Sequence, residues 1–270
     1  MSTKSSLSVS LVQGATRWHD PAGNRDYYGA LIAPLKGSDL IVLPETFTSG
    51  FSNEAIHNAE TMEGPTVAWL RDRSRALDAA ITGSVQLRVG EGAASKVYNR
   101  LLFVTPDGEV RHYDKRHLFR YAGEHERYAG GDTRLVVEFR GWRICPLVCY
   151  DLRFPVWIRN RRDPKNGFNY DLSIFVANWP SARRYAWSTL LRARAIENLS
   201  YCIGVNRVGV DGNQLAYGGD SVALDFLGQP LVELGPQEQA VTIALDSAAL
   251  AAHRERFPAW MDADSFELAP

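Results

Sequence analysis

Leu7–Val12 alternates apolar and polar side chains, the period-two pattern of a strand with one buried face. Beyond it the period lengthens. Tyr28, Leu31, Ile32 and Leu35 recur at three- and four-residue steps and predict a helix over Ala22–Leu35, ended by Gly37. Asp39–Leu43 is short, β-branched and apolar, as a fully buried central strand would be. The pattern then lapses. Phe47–Glu63 has no clear period and reads as a long surface loop beside that strand end, where loops commonly form pocket walls. Gly64–Pro65 opens a second helix with Val67, Leu70 and Leu77 inward, and strands follow at Ala80–Leu87 and Val97–Val104. Pro106–Asp107–Gly108 turns the chain into Val110–Tyr113.

In the second half, Leu135–Phe139 and Trp142–Val148 predict a hairpin about Arg140–Gly141. Pro146 removes a ladder donor there, so an edge or a bulge is expected. Pro155 suits the first turn of a helix, predicted over Val156–Arg162 and stopped by Pro164. Cys149 would then stand at the carboxyl end of a strand, facing amides and a helix dipole that favour a thiolate. Tyr170–Ala177 is a further strand. Trp187–Leu199 is the strongest helix, with Arg194 and Glu197 spaced to pair. Strands at Tyr201–Asn206, Ser221–Leu224 and Gln239–Ala244 and a helix at Ser247–Arg256 follow, with a turn at Asp211–Gly212–Asn213. The tail from about Phe257 to Pro270 should cross a surface or a partner. No linker interrupts this order, the longest stretch of low hydrophobicity being Gly90–Lys96. One α/β domain spanning 1–270, with two packed sheets flanked by helices, is the expectation.

Composition changes this picture little. Of 270 residues, 45% are hydrophobic and 23% charged, and the formal net charge is -1. That balance gives no field for nucleic acid or an anionic membrane. The start, MSTKSSLSVSLVQG, lacks the apolar core of an export signal, and no run approaches membrane-spanning length. Three cysteines, Cys145, Cys149 and Cys202, read as reduced thiols of a cytoplasmic protein. Neither Cys-x-x-Cys nor His-Glu-x-x-His occurs, so no metal is expected.

The chemistry gathers at strand ends. Glu45 follows DLIVLP, Lys115 follows VRHYD, Cys149 follows WRICPLV and Asn178 follows SIFVA. Ligands in α/β folds collect outside the carboxyl ends of strands. A cysteine nucleophile needs a base, for which Glu45 competes with His112 and His117. A lysine can hold a developing oxyanion.

LPETFTSGF around Glu45, YDKRHLF around Lys115 and CYDLRFP around Cys149 resemble the three signatures of the nitrilase superfamily, the carbon–nitrogen hydrolases. The resemblance runs from the VQ of the first strand to FPAW near the end. FTSGF, DKRHLFR, NWP, RARAIEN and NRVG are similar to the bacterial omega-amidase branch, the 2-oxoglutaramate amidases. It implies a four-layer α-β-β-α sandwich that pairs into a homodimer and uses no cofactor. By motif, Cys149 resembles the nucleophile, Glu45 the base and Lys115 the stabilising cation. Glu124 matches a second site glutamate, with Glu126 as the alternative, and the backbone N–H of Tyr150 would help hold the oxyanion.

The reaction so implied releases ammonia from a small omega-amido acid through a cysteine thioester. The far carboxylate of such a substrate needs a counter-charge. The candidates are Arg184 first, then Arg116 and Arg153, with Arg183 also following NWP. Phe47, Phe119, Tyr128 and Trp179 are candidate apolar walls. Other acyl compounds remain open (deaminated glutathione, N-carbamoyl compounds, nitriles), as do an acyl acceptor other than water and a catalytically silent dimeric scaffold.

Overall fold

The structure, a computed structural model, describes residues 5–268; the first four residues and the end of the tail at Ala269–Pro270 lie outside the described residues. In chain order it runs β1 (Ser6–Gln13), α1 (Pro21–Ile32), β2 (Leu40–Val42), α2 (Pro65–Leu77), β3 (Ala80–Val89), β4 (Lys96–Val104) and β5 (Val110–Asp114). Next come α3 (Glu124–Arg127), β6 (Val137–Phe139), β7 (Trp142–Val148), α4 (Pro155–Ile158), β8 (Arg162–Asp163), β9 (Gly167–Phe168) and β10 (Leu172–Ala177). The chain continues through α5 (Arg184–Asn198), β11 (Tyr201–Asn206), β12 (Val208–Val210), β13 (Ala216–Gly218) and β14 (Val222–Leu224). It ends with β15 (Pro230–Glu233), β16 (Gln239–Asp246) and α6 (Ser247–Arg256).

Two six-stranded sheets carry the fold, in the orders β16-β1-β2-β3-β4-β5 and β15-β14-β11-β10-β7-β6. Alternation along each strand decides what it covers. On β2, Leu40 and Val42 pack toward the second sheet, whereas Ile41 joins Tyr28, Ile32, Val67 and Leu70 of α1 and α2. On β4, Leu101 and Phe103 take the first side and Leu102 and Val104 the second. The opposite sheet is covered by α5, whose Trp187, Leu191 and Ala195 are buried with Ile174, Ile203 and Val205. The result is an α-β-β-α sandwich, as the resemblance implied.

Several local expectations are corrected. The segment after Cys149 is no long helix: Cys149–Arg153 form a 3-10 turn, α4 is one turn, and Arg162 lies in the small β8–β9 hairpin. Phe47–Glu63 is a surface loop only in its later part, because Phe47, Thr48, Ser49 and Ser52 are buried. At Pro146 there is no bulge, but the expected edge is present locally although β7 is an interior strand. β7 lies between β6 and β10 and keeps continuous register with β10 through Pro146, but β6 ends at Val137 opposite Ile144. The missing donor therefore falls beyond the β6 pairing. The tail crosses its own chain, with the Arg162 guanidinium 4.4 Å over Trp260 and that of Arg161 3.9 Å over Phe266. Among the described residues no helix is long and apolar enough to cross a membrane.

Candidate active site

Four strand ends from both sheets meet at one cavity of about 130 Å³, lined by Glu45, Lys115, Cys149 and Asn178 together with Phe51, Phe119, Tyr150, Arg153, Trp179, Arg183 and Tyr217. The backbone turns sharply where the chain leaves the strands. Thr46 and Cys149 both sit in the left-handed region, at φ 43° and 44°. Non-glycine residues are strained there, and such strain clusters at functional sites.

Glu45 is 1% exposed and accepts four hydrogen bonds. Asn99 Nδ2 and Lys115 Nζ reach Oε1 at 2.8 and 3.0 Å, and the Asn178 backbone N–H reaches Oε2 at 2.7 Å. Burial alone would raise its pKa, but the Lys115 ammonium and these donors outweigh burial and hold it below the usual carboxylate value. Glu124 is fully buried, places both oxygens 3.0 Å from Lys115 Nζ, and accepts the Phe119 backbone N–H. Burial, with the Glu45 charge, lifts Glu124 above its ordinary value. Lys115 is 1% exposed; burial pushes its ammonium down, but Glu124 and then Glu45 raise it beyond a free lysine. Glu126 is largely exposed beside His125, which settles which glutamate reaches Lys115.

The cysteine differs from its expectation. Burial, and next the charge of Glu45, raise Cys149 well above an ordinary thiol despite Lys115. The short 3-10 turn supplies too little dipole to reverse this. The resting group is a thiol whose Sγ lies 3.9 Å from the Asn178 carbonyl oxygen. Cys145 and Cys202 are fully buried and burial pushes each up to about 12.

Neither histidine considered as a base belongs to the cavity lining. His112 is exposed, and His117 Nδ1 lies 2.7 Å from Asp151 with its ring stacked on Phe154. Of the arginines, Arg153 and Arg183 line the cavity, their guanidinium groups over Trp179 and Phe119 at 4.9 and 5.3 Å. Arg184 is not brought in, because one residue further round the helix start it pairs with Asp220 at 2.5 Å. Arg116 turns away too and lies 4.3 Å over Trp157. Phe119 and Trp179 are walls. Phe47 instead packs in the core edge-on to Tyr28, and Tyr128 stands behind the wall, donating its hydroxyl to the Ser52 carbonyl at 2.7 Å.

Asn99 and the clasp made by Asn178 escaped the sequence reading. Asn178 Nδ2 also donates to the Glu45 carbonyl at 2.8 Å and Thr46 Oγ1 at 3.0 Å, so one side chain ties the two sheets' strand ends together. The signal for Asn99 is a lone amide within the apolar run VYNRLLFV. Also unforeseen is the β12–β13 hairpin, whose Asp211, Asn213, Leu215 and Tyr217 close one side of the cavity. Among the described residues no cluster of three or more His, Cys, Asp or Glu is arranged to hold a metal ion.

Comparison with known proteins agrees with this geometry. Residues 8–255 match the carbon–nitrogen hydrolase family. Omega-amidase YafV of Yersinia enterocolitica is 49% identical over 98% of this chain and 99% of its own. The 2-oxoglutaramate amidase of Bacillus subtilis is 32% identical over 84% and 85%. XC1258 of Xanthomonas campestris, a CN-hydrolase superfamily protein whose crystal structure has an arsenic adduct in the active site, is 66% identical. It superimposes with a TM-score of 0.95 over 98% of this chain and 99% of that one. The chain therefore belongs to the carbon–nitrogen hydrolase family, the nitrilase superfamily, and its likeness within that family is to the omega-amidases.

Proposed function

We propose that the protein hydrolyses the terminal amide of a small omega-amido acid such as 2-oxoglutaramate, releasing ammonia through a thioester on Cys149. The observation that carries this reading is the cavity's division. Its buried floor holds Glu45 and Lys115, the half-buried Cys149 stands above them, and Arg153 and the half-buried Arg183 lie against the aromatic walls, Arg153 being exposed. At about 130 Å³ it lies well below the roughly 300 Å³ at which pockets for drug-sized ligands begin.

As Sγ attacks the amide carbon, Glu45 takes the thiol proton. The total charge of the buried site is unchanged by that transfer, which is why a neutral resting thiol is no obstacle. The oxyanion is held by Lys115, kept in place by Glu124, and by the Tyr150 N–H. Glu45 passes its proton to the nitrogen, the carbon–nitrogen bond breaks, and ammonia leaves. Water then attacks the thioester, giving a proton to Glu45; as the carbon–sulfur bond breaks, that proton returns to sulfur and the acid departs. A reaction needing a free thiol suits a reducing compartment. The names of the Yersinia and Bacillus relatives support the substrate class.

The test compares kcat/KM for 2-oxoglutaramate, succinamate, acetamide and an equally long amide ending in methyl. A guanidinium on the far carboxylate should favour the first two by about tenfold or more, and Arg153→Ala or Arg183→Ala should erode that preference. Equal values for carboxylate and methyl ends would leave only a general aliphatic amidase.

A further inference from the structure

We infer that Asp151 and His117 form a positioning pair that fixes Lys115 relative to Cys149. Its role rests on the amide-hydrolysis reading; its geometry does not. Asp151 is fully buried, yet it is absent from the cavity lining. Its Oδ2 accepts the Val148 backbone N–H at 3.0 Å and the Tyr113 hydroxyl at 2.9 Å. Its Oδ1 accepts the His117 backbone N–H at 3.1 Å and faces His117 Nδ1 at 2.7 Å. The partners fall in two sets. Val148 and Asp151 itself straddle Cys149, whereas Tyr113 and His117 straddle Lys115. One carboxylate thus grips the chain on either side of the lysine and closes the strained turn that presents the sulfur.

The imidazole strengthens the link. It stacks on Phe154, at the end of the cysteine turn, with centroids 3.8 Å apart and planes 5° from parallel. Donation to the carboxylate places a proton on Nδ1 and fixes the ring's orientation. Four donors leave the buried charge well satisfied, so removing one partner both loosens the link and exposes an uncompensated acceptor. Neither residue reaches the reacting atoms. Their effect runs through the separation of ammonium and sulfur, and a shift of about 1 Å at a reacting centre can cost on the order of 100-fold.

Three variants test this. Asp151→Asn keeps shape but turns one acceptor into a donor. An amide nitrogen at the Oδ1 position opposes the His117 backbone N–H, and one at the Oδ2 position opposes the Val148 N–H, so either orientation breaks part of the link. His117→Leu, at a partly exposed position, removes the side-chain donor and the ring stacked on Phe154 but keeps the backbone N–H bond. His117→Asn restores an N–H near the Nδ1 site without the ring, so rescue by Asn assigns the effect to the hydrogen bond. The readout is the alkylation rate of Cys149 by iodoacetamide, followed by peptide mapping, with kcat and KM for 2-oxoglutaramate alongside. Alkylation should slow by about tenfold in His117→Leu and Asp151→Asn, and kcat should fall with little change in KM. His117→Asn should return both to within about threefold of wild type. If His117→Leu merely unfolds at lower temperature while the folded protein alkylates at the wild-type rate, the inference is overturned. Should Asp151→Asn not fold, His117→Leu decides alone. Failure of the wild type to hydrolyse any omega-amide would defeat the proposed function, and the alkylation comparison would still stand.

Discussion

Glu45 exerts two opposite influences on the neighbouring sulfur. In the proposed mechanism it is the base that takes the thiol proton, yet after burial its charge is the largest cause holding that proton in place. Replacing it with glutamine separates the two. In Glu45→Gln the negative charge is gone while the Lys115 cation, which lowers the thiol, remains. The Cys149 titration should therefore move to lower pH than in the wild type, so the thiolate appears earlier as pH rises. Turnover should nonetheless fall by about 100-fold or more, because no group can shuttle the proton. Alkylation rate against pH, set beside kcat, reads both effects; an unmoved or raised thiol titration would contradict the assigned electrostatics. Glu45, Lys115 and Cys149 could be singled out by their places at strand ends, whereas Glu124 came only from the resemblance, with Glu126 as its alternative; the structure brings the first three to one cavity and Glu124 to Lys115. The sequence could not distinguish Arg183 from Arg184, because each helical residue turns about 100° from the last and the distant partner Asp220 decides which one stays outside. Phe47 could be a wall or a core residue from sequence, because an apolar side chain suits both, and the structure puts it in the core.

Elements were legible wherever periodicity ran for several residues, as in β1, β4, α2 and α5. They failed where short segments take their shape from distant contacts. The turn after Cys149 is stabilised by Asp151 and by contacts to the lysine loop, and Pro155 alone suggested a longer helix than forms. The β12–β13 hairpin is a similar case, since only its Asp-Gly-Asn turn was visible. Gly212 explains how the hairpin docks: a Cβ there would lie 2.2 Å from Trp18 Nε1 and 2.5 Å from Cδ1. Gly212→Ala must shift the indole or tilt the hairpin carrying Asn213, Leu215 and Tyr217. It should cost about 1–3 kcal/mol in stability. Because this wall meets substrate and not the reacting bond, KM should rise by about threefold or more with kcat nearly unchanged. Thermal unfolding and steady-state kinetics measure both, and a kcat loss without a KM change would place the hairpin's influence on the chemical step instead.

At the scale of the molecule, the order of strands and helices foretold two sheets and outer helices, but not which strands adjoin. β16 closes the first sheet against β1, pairing Ser6 with Asp246, and nothing local announces so distant a partner. That convergence brings Glu45 and Lys115 from one sheet to Cys149 and Asn178 from the other. The outer surface carries a further consequence. Ile196 on α5, Leu227 and Phe257 are 52%, 48% and 58% exposed, and they line one groove with Phe226 and His253. Tyr185, on the same helix, is 82% exposed. We propose that this face pairs with a second copy, as a homodimer would require, because Tyr185 and Ile196 of α5 together with Leu227 from the β14–β15 turn and Phe257 after α6 expose large apolar groups that cost hydration until covered. A stable interface buries roughly 1,000 Å² or more, so α5 must be joined by its neighbours in the contact. Light scattering at micromolar concentration should give twice the chain mass. Ile196→Asp, which places a charge in that groove without touching the cavity, should yield monomers that keep the Cys149 alkylation rate. A wild type that remains monomeric would end the proposal, and an Ile196→Asp protein that still dimerises would move the interface to another face.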